Sequence, residues 1–456
     1  MKKLQIHFLG ASETVTGSKF YLYSDEVKIL VDCGLFQGVK ALRALNWDKL
    51  PVDASKIDYV LLTHGHLDHC GYLPLLVRQG FRGKILGTGP TLEIARIILG
   101  DSAKIQEEEA AKANKEDYSK HSPALPLYTK EDAAFALKFF EQVEEAEEII
   151  LSDHCSATFL YNGHILGSTY IEINLYGKRL VFSGDVGRQH DKLLDPPKRP
   201  EWADYLFVES TYGDRLHPKE DVEDILIGLI KETLHKKGTL IIPSFAVERL
   251  QSLMYQLWEL YRKNKIPNIP IFVDSPMGNN VLEVFQNFPN WHKLTPTEYS
   301  NMNGHINLVS SYAETWETID DPRAKIVIAG SGMVTGGRVL TYIKQLADKE
   351  STTILLVGFQ AEETRGRKLL EGATELKVYG KHVPIKAKVH HLESLSAHAD
   401  QSELLTWMGT VKNIPEKVFL VHGELSSMEA YRDKIHEKYG WHCHIPKIYE
   451  VFEVIL

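Results

Sequence analysis

The segment His64-Gly65-His66-Leu67-Asp68-His69 places four potential metal ligands within six residues. It directly follows Tyr59-Val60-Leu61-Leu62, an apolar run whose length and β-branched character predict a buried strand. The cluster therefore falls at the carboxyl end of a strand, where α/β sheets usually carry their chemistry. Imidazole nitrogen suits zinc, and carboxylate oxygen suits zinc or a harder divalent cation. Such density indicates half of a two-metal hydrolytic centre rather than a polar loop with chance histidines.

Four further side chains of the metal-ligating kind lie at or just beyond apolar strands and near glycine, which lets the backbone approach closely. They are Asp32, His164, Asp185 and His422. Each alone is a weak signal, since a single Asp after a strand is more often a cap or turn residue. Together with the segment His64–His69, they complete the ligand set of one composite site.

The composition indicates an ordinary globular protein with more than one core. A chain of 456 residues is long enough for two domains. No apolar run approaches the ~20 residues needed to cross a bilayer, and residues 1–7 lack the apolar core of a signal peptide. The four cysteines are scattered, which predicts free thiols and a cytoplasmic location. A net charge of -9 argues against broad non-specific nucleic-acid binding but permits a local basic groove.

The order of predicted elements indicates a layered α/β protein with an insertion. The first part mixes antiparallel hairpins with helices, which favours a sandwich over a barrel, and 129–143 is predicted as one helix. The middle alternates strands and helices regularly, as a doubly wound parallel unit does. Because candidate ligands occur on both sides, we expect a first domain at 1–205, an inserted domain at 206–385, and a return to the first at 386–456.

Taken together, these residues resemble the metallo-β-lactamase-fold hydrolases, through Asp32, His64-x-His66-x-Asp68-His69, His164, Asp185 and a late histidine. The insertion, with Glu209, His398 and His422, resembles the β-CASP branch of RNA- and DNA-processing nucleases. That branch includes the endonuclease subunit of the messenger-RNA 3′-end cleavage machinery and its bacterial and archaeal relatives. The resemblance covers nearly the whole chain. It implies a metallo-β-lactamase αββα sandwich with an inserted parallel α/β β-CASP domain.

The resemblance and the ligand chemistry imply two Zn²⁺ per chain. His64, His66 and His164 are assigned to one zinc, and Asp68, His69 and His422 to the other, with Asp185 bridging both. Two ions about 3.5 Å apart lower the pKa of bound water and stabilise an in-line phosphoryl displacement. Asp32 would hold a ligand or the water network. The predicted catalytic residues are Asp68, Asp32, His398 and Glu209.

His398 lies in Ser396-Ala397-His398-Ala399-Asp400 and matches the β-CASP histidine. It is suited to protonate the leaving 3′-oxygen or to grip the scissile phosphate, with Glu209 orienting it. The alternative is a residue at a helix start, beside the capping candidate Ser396.

The segment Gly330–Arg338 follows a predicted strand and opens a helix, so its backbone N–H groups are suited to hold an anion. It is neither a Walker loop nor a dinucleotide fingerprint. A second segment, Gly358–Arg367, resembles another part of the family and carries two arginines. Phosphate contacts are expected from Ser331, Gly332, Thr335, Gly336, Arg338, Arg365 and Arg367. The alternatives are a turn that serves only sheet packing, and surface ion pairs.

The leading functional prediction is a zinc-dependent phosphodiesterase that cuts single-stranded RNA and leaves 5′-phosphate and 3′-hydroxyl ends. Endonuclease and 5′-to-3′ exonuclease action both occur in the family and stay open here. The competing functions are an ester, lactone or thioester hydrolase on the same dinuclear core, and a non-catalytic scaffold. The expected partner is RNA rather than a membrane. The C-terminal strand at 450–456 could also pair two copies as a homodimer.

Overall fold

The computed structural model describes residues 2–116 and 121–456. Its internal contacts divide the chain into two compact units, one of residues 1–216 with 398–456 and one of residues 217–397. The chain therefore leaves the first unit, builds the second, and returns. This is the organisation expected of an inserted domain.

The helices and strands alternate along the chain. In chain order the strands are β1 (Lys3–Phe8), β2 (Phe20–Ser24), β3 (Lys28–Val31), β4 (Tyr59–Leu61), β5 (Lys84–Thr88), β6 (Phe140–Val143), β7 (Glu148–Ser152), β8 (Cys155–Tyr161), β9 (Thr169–Leu175), β10 (Lys178–Phe182), β11 (Tyr205–Glu209), β12 (Thr239–Pro243), β13 (Ile271–Asp274), β14 (Asn307–Leu308), β15 (Lys325–Ala329), β16 (Thr353–Val357), β17 (Glu375–Val378), β18 (Lys381–Pro384), β19 (Lys388–Leu392), β20 (Lys417–Val421), β21 (Cys443–His444) and β22 (Val451–Ile455). The α-helices are α1 (Lys40–Ala44), α2 (Leu67–Cys70), α3 (Leu73–Arg78), α4 (Gly89–Glu116), α5 (Lys130–Ala136), α6 (Val222–His235), α7 (Arg249–Arg262), α8 (Pro276–Asn287), α9 (Pro296–Gly304), α10 (Tyr312–Asp320), α11 (Val339–Leu346), α12 (Arg365–Leu370), α13 (Gln401–Met408) and α14 (Leu425–Tyr439). Short 3-10 helices cover Leu45–Trp47, Ala54–Lys56, Leu137–Phe139 and Pro289–Trp291.

Two sheets form the core of the first unit. Their strand orders are β22-β1-β2-β3-β4-β5-β6 and β21-β20-β11-β10-β9-β8-β7. Apolar side chains from both sheets share one buried cluster, in which the ring of Phe207 stacks on Phe182 and Phe419 at centroid distances of 4.0 and 4.8 Å. Each such buried ring contributes on the order of 1.5–3 kcal/mol by leaving water.

Helices cover the outer faces of these sheets. Buried side chains of α13 and α14 pack on the second sheet, and α4 contacts β5 and β6 of the first. The layers are thus helix, sheet, sheet and helix. This confirms the predicted αββα sandwich.

One predicted helix is wrong in its second half. The helix expected at 129–143 begins as predicted, because Thr129 and Asp132 form a reciprocal capping box, but it ends at Ala136. Residues Phe140–Val143 instead form strand β6, which pairs in parallel with β5. Pairing with an existing sheet edge satisfies the backbone of this segment and overrides its helical pattern.

The second unit is a doubly wound parallel sheet, as predicted. Its strand order is β14-β13-β15-β12-β16-β19, every pair is parallel, and β17 and β18 form a separate hairpin. A buried cluster packs α11 against strands that include β12, β15 and β16. Ligands of such sheets bind at the carboxyl ends of the strands.

The unit boundaries differ from the predicted ones at both crossings. Strand β11 pairs with β10 and β20, so residues 206–216 belong with the first unit rather than with the insertion. Strand β19 pairs with β16, so residues 386–397 belong with the second unit. Composition alone could not assign these strands, because strand pairing decides which core a strand joins.

The described residues contain no helix that is both long enough and apolar enough to cross a membrane. All four cysteines carry free thiols, in agreement with their scattered spacing.

Candidate metal centre

The candidate ligands come together because several parallel strands of the first unit end at the same edge. Strands β10, β11 and β20 are mutually parallel neighbours, as are β3 and β4. Asp185 follows β10, His422 follows β20, and the segment His64–His69 follows β4. Residues some 350 positions apart, such as His69 and His422, thereby contact each other.

One group of side chains, here called the first group, consists of His64, His66, His164 and Asp185. His66 Nδ1 lies 3.1 Å from His64 Nε2 and 3.3 Å from His164 Nε2. Both of those Nε2 atoms lie 3.5 Å from Asp185 Oδ2. His64, His164 and Asp185 are buried, so these donor atoms converge on a small interior volume.

The second group consists of Asp68, His69 and His422. The Nε2 atoms of His69 and His422 are 3.3 Å apart, and Asp68 Oδ2 lies 3.4 Å from His422 Nε2. Asp185 also contacts this group, because its Oδ1 atom lies 3.4 Å from His69 Nε2 and 3.5 Å from His422 Nδ1. Each oxygen of Asp185 thus faces a different group.

These donor atoms fit metal ions. Two imidazole nitrogens at the ~2.0–2.1 Å bond length of tetrahedral zinc lie about 3.3–3.4 Å apart, close to the separations of 3.1–3.3 Å seen here. Burial lowers the pKa of His66 to about 4, so its ring is neutral at pH 7 and can ligate. Asp185 Oδ1 is buried and accepts no hydrogen bond from any described residue. A buried carboxylate oxygen in this situation is suited to a cation.

Two residues outside the groups orient the ligand rings. Asp32 Oδ2 accepts a 2.7 Å hydrogen bond from His69 Nδ1, while Asp32 Oδ1 accepts one from the Thr63 amide at 2.8 Å. Thr211 Oγ1 lies 3.2 Å from His422 Nδ1. Both contacts leave the Nε2 atoms directed at the second group. Asp32 thus contacts His69 directly, and its role in holding that ligand stays a prediction. Thr211 was not predicted from the sequence, although its position two residues after the candidate Glu209 could have indicated it.

A third group joins Asp185 to Glu209 and His398. His398 Nδ1 donates to Glu209 Oε2 at 3.1 Å, and Glu209 Oε1 accepts from the Val186 amide at 2.5 Å. The imidazole ring lies beside that of His164, with a centroid distance of 4.4 Å. Burial opposes the charge on His398, but the fully buried Glu209 carboxylate outweighs it and raises the pKa of His398 to about 9. The predicted pairing of Glu209 with His398 is therefore present, next to the ligand groups.

Three family models match successive parts of the chain. The metallo-beta-lactamase superfamily matches residues 14–218, the Beta-Casp domain matches 250–369, and the Zn-dependent metallo-hydrolase RNA specificity domain matches 382–446. Ribonuclease TTHA0252 of Thermus thermophilus is 33% identical over 429 residues, which cover 92% of this chain and 93% of that protein. The chain is a member of the β-CASP ribonuclease family.

Other relatives agree with this assignment. An RNase J-like protein of Methanocaldococcus jannaschii is 30% identical and covers 92% of both chains. The transcription termination factor FttA of the same organism is 29% identical and covers 97% of this chain and 70% of its own. A solved protein of unknown function from Enterococcus faecalis covers 99% of this chain with a TM-score of 0.55 at 12% identity, which shows a shared fold alone.

Two backbone amides of the glycine-rich loop in the β-CASP domain find their acceptor within the loop. Ser331 Oγ accepts from the amides of Thr335 at 3.1 Å and Gly336 at 3.2 Å, and lies 3.1 Å from Thr335 Oγ1. The Ser331 hydroxyl thus accepts hydrogen bonds from two amides that were expected to bind an anion. Phosphate contacts from Ser331, Gly332, Thr335 and Gly336 stay a prediction, and a phosphate would have to displace this hydroxyl.

The three arginines expected to contact phosphate have protein partners instead. Arg338 donates to Thr315 Oγ1 at 2.5 Å, and its guanidinium lies 3.7 Å from the centre of the Tyr312 ring. Arg365 donates to the carbonyl of Lys377 at 2.8 Å and Arg367 to Glu371 at 2.8 Å. Phosphate contacts from these arginines stay a prediction. A sequence shows a positive charge but does not show which nearby acceptor it will meet.

A buried lysine missed by the sequence analysis supports the backbone beneath the second group. Lys19 is 2% exposed, and its ammonium donates to the carbonyls of Gly34 at 2.6 Å and Gly17 at 3.0 Å. The neighbouring Ser18 amide donates to the Asp68 carbonyl at 2.8 Å. Gly34 also packs against this turn so closely that a Cβ atom would lie 1.6 Å from the Asp68 carbonyl oxygen. Lys19 thus joins two segments that contact the Asp68 turn.

This lysine should give the protein a pH-dependent stability. Burial lowers the pKa of Lys19 from its ordinary 10.5 to about 8. Between those values the unfolded chain holds the proton and the folded chain does not, so stability rises with pH. Lys19→Met lacks this titration. We expect the melting temperature of the wild type to rise by about 2 °C or more relative to the variant between pH 7.5 and 9.5. A pH-independent difference between the two proteins would contradict this.

Proposed function

We propose that this β-CASP protein is a zinc-dependent endoribonuclease that hydrolyses phosphodiester bonds of single-stranded RNA in RNA processing or decay. The observation that carries the proposal is the convergence of two ligand groups on Asp185, which offers one oxygen to each, with the His398–Glu209 pair beside them. The names of the relatives, a ribonuclease and an RNase J-like protein, support the same reaction class.

Each of the two groups would hold one cation of the pair. His64, His66 and His164 would hold one Zn²⁺, Asp68, His69 and His422 would hold a second, and Asp185 would offer one oxygen to each. When bound, such a pair stabilises charge on the phosphoryl oxygens and lowers the pKa of a bound water. Asp32 and Thr211 keep the His69 and His422 rings in place, so the ligand geometry exists before substrate arrives.

His398 supplies the proton to the leaving group. Glu209 accepts the hydrogen bond from His398 Nδ1, so the proton is donated from Nε2. Transfer to the 3′-oxygen of the scissile bond releases a 3′-hydroxyl and leaves the phosphate on the 5′ end of the other product. A positioned general acid of this kind contributes about 10²–10⁴-fold to the rate. The amide of Val186 holds Glu209 from the other side, so the pair is fixed relative to the neighbouring Asp185.

A substrate panel with added zinc tests the proposal. We expect cleavage of labelled single-stranded RNA, and no turnover of a lactone or a thioester. Hydrolysis of the lactone or thioester alone would favour a small-molecule hydrolase on the same core. Failure to cleave any substrate would favour a scaffold. Protein stripped of metal by a chelator is the control, since its loss of RNA cleavage and recovery with zinc tie the reaction to the bound ions.

A circular RNA extends the panel to the mode of cleavage. Because a circle has no ends, it is cut only by an endonuclease, and single-stranded DNA of matched sequence separates RNA preference from general strand cleavage. We expect linear products from the RNA circle. A circle that stays intact while linear RNA shortens from its 5′ end would show an exonuclease.

We also propose a cytoplasmic location and a homodimer. The four free thiols suit a reducing cytoplasm. Strand β22 ends its sheet, and Val451 and Ile455 are 44% and 62% exposed on it. An unpaired apolar edge of this kind suits pairing with a second copy as a homodimer.

A further inference from the structure

Two exposed phenylalanine rings each lie just beyond the carboxyl end of a strand of the β-CASP sheet, and the two strands are neighbours. Phe245 lies two residues beyond β12 and is 39% exposed, and Phe359 lies two residues beyond β16 and is 40% exposed. Strands β12 and β16 pair in parallel, so their carboxyl ends are neighbours. Single exposed apolar residues need no explanation, but two rings at adjacent strand ends, where open α/β sheets bind ligands, point to a ligand.

The loops that carry these rings are held by hydrogen bonds. The Ser244 amide donates to the Ala329 carbonyl at 2.9 Å. Gln360 is buried and donates to the Gly332 carbonyl at 3.3 Å, and His391 Nε2 donates to the Gly358 carbonyl at 2.9 Å. The rings are therefore presented by a fixed frame, which reduces the entropy lost on binding.

Gly332 completes the surface. A Cβ atom at this position would lie 2.7 Å from the ring of Phe245, so the absence of a side chain lets the ring rest on the backbone. The ends of three neighbouring strands, β15, β12 and β16, thus contribute a glycine and two rings to one surface of the second unit.

The charges around this surface select the kind of ligand. Arg338, Arg365 and Arg367 contact protein groups, and Glu362 and Glu363 are exposed directly after Phe359. The guanidinium of Arg249 also lies close to Gly358, so positive charge is present here, and the two exposed rings add aromatic faces suited to flat, uncharged groups. Nucleobases stack on aromatic side chains without regard to sequence, because every base has a π-face.

We propose that Phe245 and Phe359 stack nucleobases of the single-stranded RNA substrate. The inference rests on the proposed ribonuclease function and adds that this surface contacts the bases of the RNA. The two rings would contribute base stacking to the binding of the strand.

Steady-state kinetics on single-stranded RNA test the proposal. Phe245→Ala and Phe359→Ala should each raise KM at least ~5-fold, the low end of the effect of losing one stacked base, with kcat within about two-fold of wild type. Phe245→Tyr and Phe359→Tyr should keep the wild-type KM, because they retain the ring. The matched control is Tyr379→Ala, which removes a ring that is 47% exposed in the turn between β17 and β18 and should change nothing.

An RNA strand with abasic residues separates stacking from a structural disturbance. The wild type should bind this strand more weakly than it binds normal RNA, because the stacked bases are missing. The two alanine variants should bind the abasic strand no more weakly than the wild type does. An equal loss by the variants on both substrates would overturn the proposal, as would an unchanged KM on normal RNA. If the wild type itself cleaves no RNA, the proposed function fails. If it cleaves RNA and the phenylalanine variants match it, only this inference fails.

Discussion

Asp185→Ala is expected to lose both metal ions and RNA cleavage together. The two oxygens of Asp185 face different ligand groups, at 3.5 Å from His64 and 3.4 Å from His69. Asp185 belongs to the first group, and its other oxygen contacts His69 and His422 of the second. Its removal leaves only imidazoles around the first position and a single carboxylate, Asp68, at the second. Loss of an outer-shell partner already costs about 10–100-fold in metal affinity or activity, so loss of the shared ligand should cost more.

The measurement combines metal analysis with turnover of a defined RNA. We expect about two ions per chain in the wild type, fewer than one in Asp185→Ala, and turnover reduced by more than ~100-fold. Asp153→Ala, at an exposed turn position in the same unit, is the matched control and should keep both metal and activity. A variant that retains two ions and wild-type turnover would show that Asp185 is not a shared ligand.

His398→Ala is expected to lower kcat by about 10²–10⁴-fold while metal content stays at the wild-type level. The reason is that His398 contacts Glu209 and lies beside His164, but belongs to neither ligand group of the ion pair. Glu209→Gln should lower kcat as well, because an amide holds the imidazolium less well than a carboxylate does. His382→Ala, an exposed histidine paired with Glu375, is the control and should match the wild type.

A modified leaving group tests the chemical role of His398 directly. An RNA with sulfur in place of the leaving 3′-oxygen needs little protonation, so it should restore much of the lost rate in His398→Ala. No restoration would favour a role in gripping the phosphate. A kcat within a few-fold of wild type on ordinary RNA would show that His398 has neither role.

The sequence predicted the parts of the centre that depend on local pattern and strand order. His64–His69 is recognisable because its ligands are adjacent in sequence, and Asp32, Asp185 and His422 because each follows an apolar strand. Parallel strands then bring their carboxyl ends to one edge, so convergence follows from topology. The regular alternation between residues 239 and 357 likewise predicted the parallel sheet of the second unit.

The features that the sequence did not predict depend on contacts between distant segments. Lys19 is buried between the carbonyls of Gly17 and Gly34, an environment that exists only after two loops meet. The position of Arg338 against the Tyr312 ring was likewise not visible in the sequence. Residues 140–143 continue a helical pattern in the sequence, but in the structure they pair with strand β5. In each case tertiary contacts decided between choices that local chemistry left open.

Anomalous diffraction from zinc-loaded crystals would test most directly whether this chain assembles a two-metal centre from separated segments. We predict two zinc peaks, one bound by His64, His66 and His164 and one by Asp68, His69 and His422, with Asp185 contacting both. A single peak, or peaks bound by other side chains, would show that these residues do not form a two-metal centre.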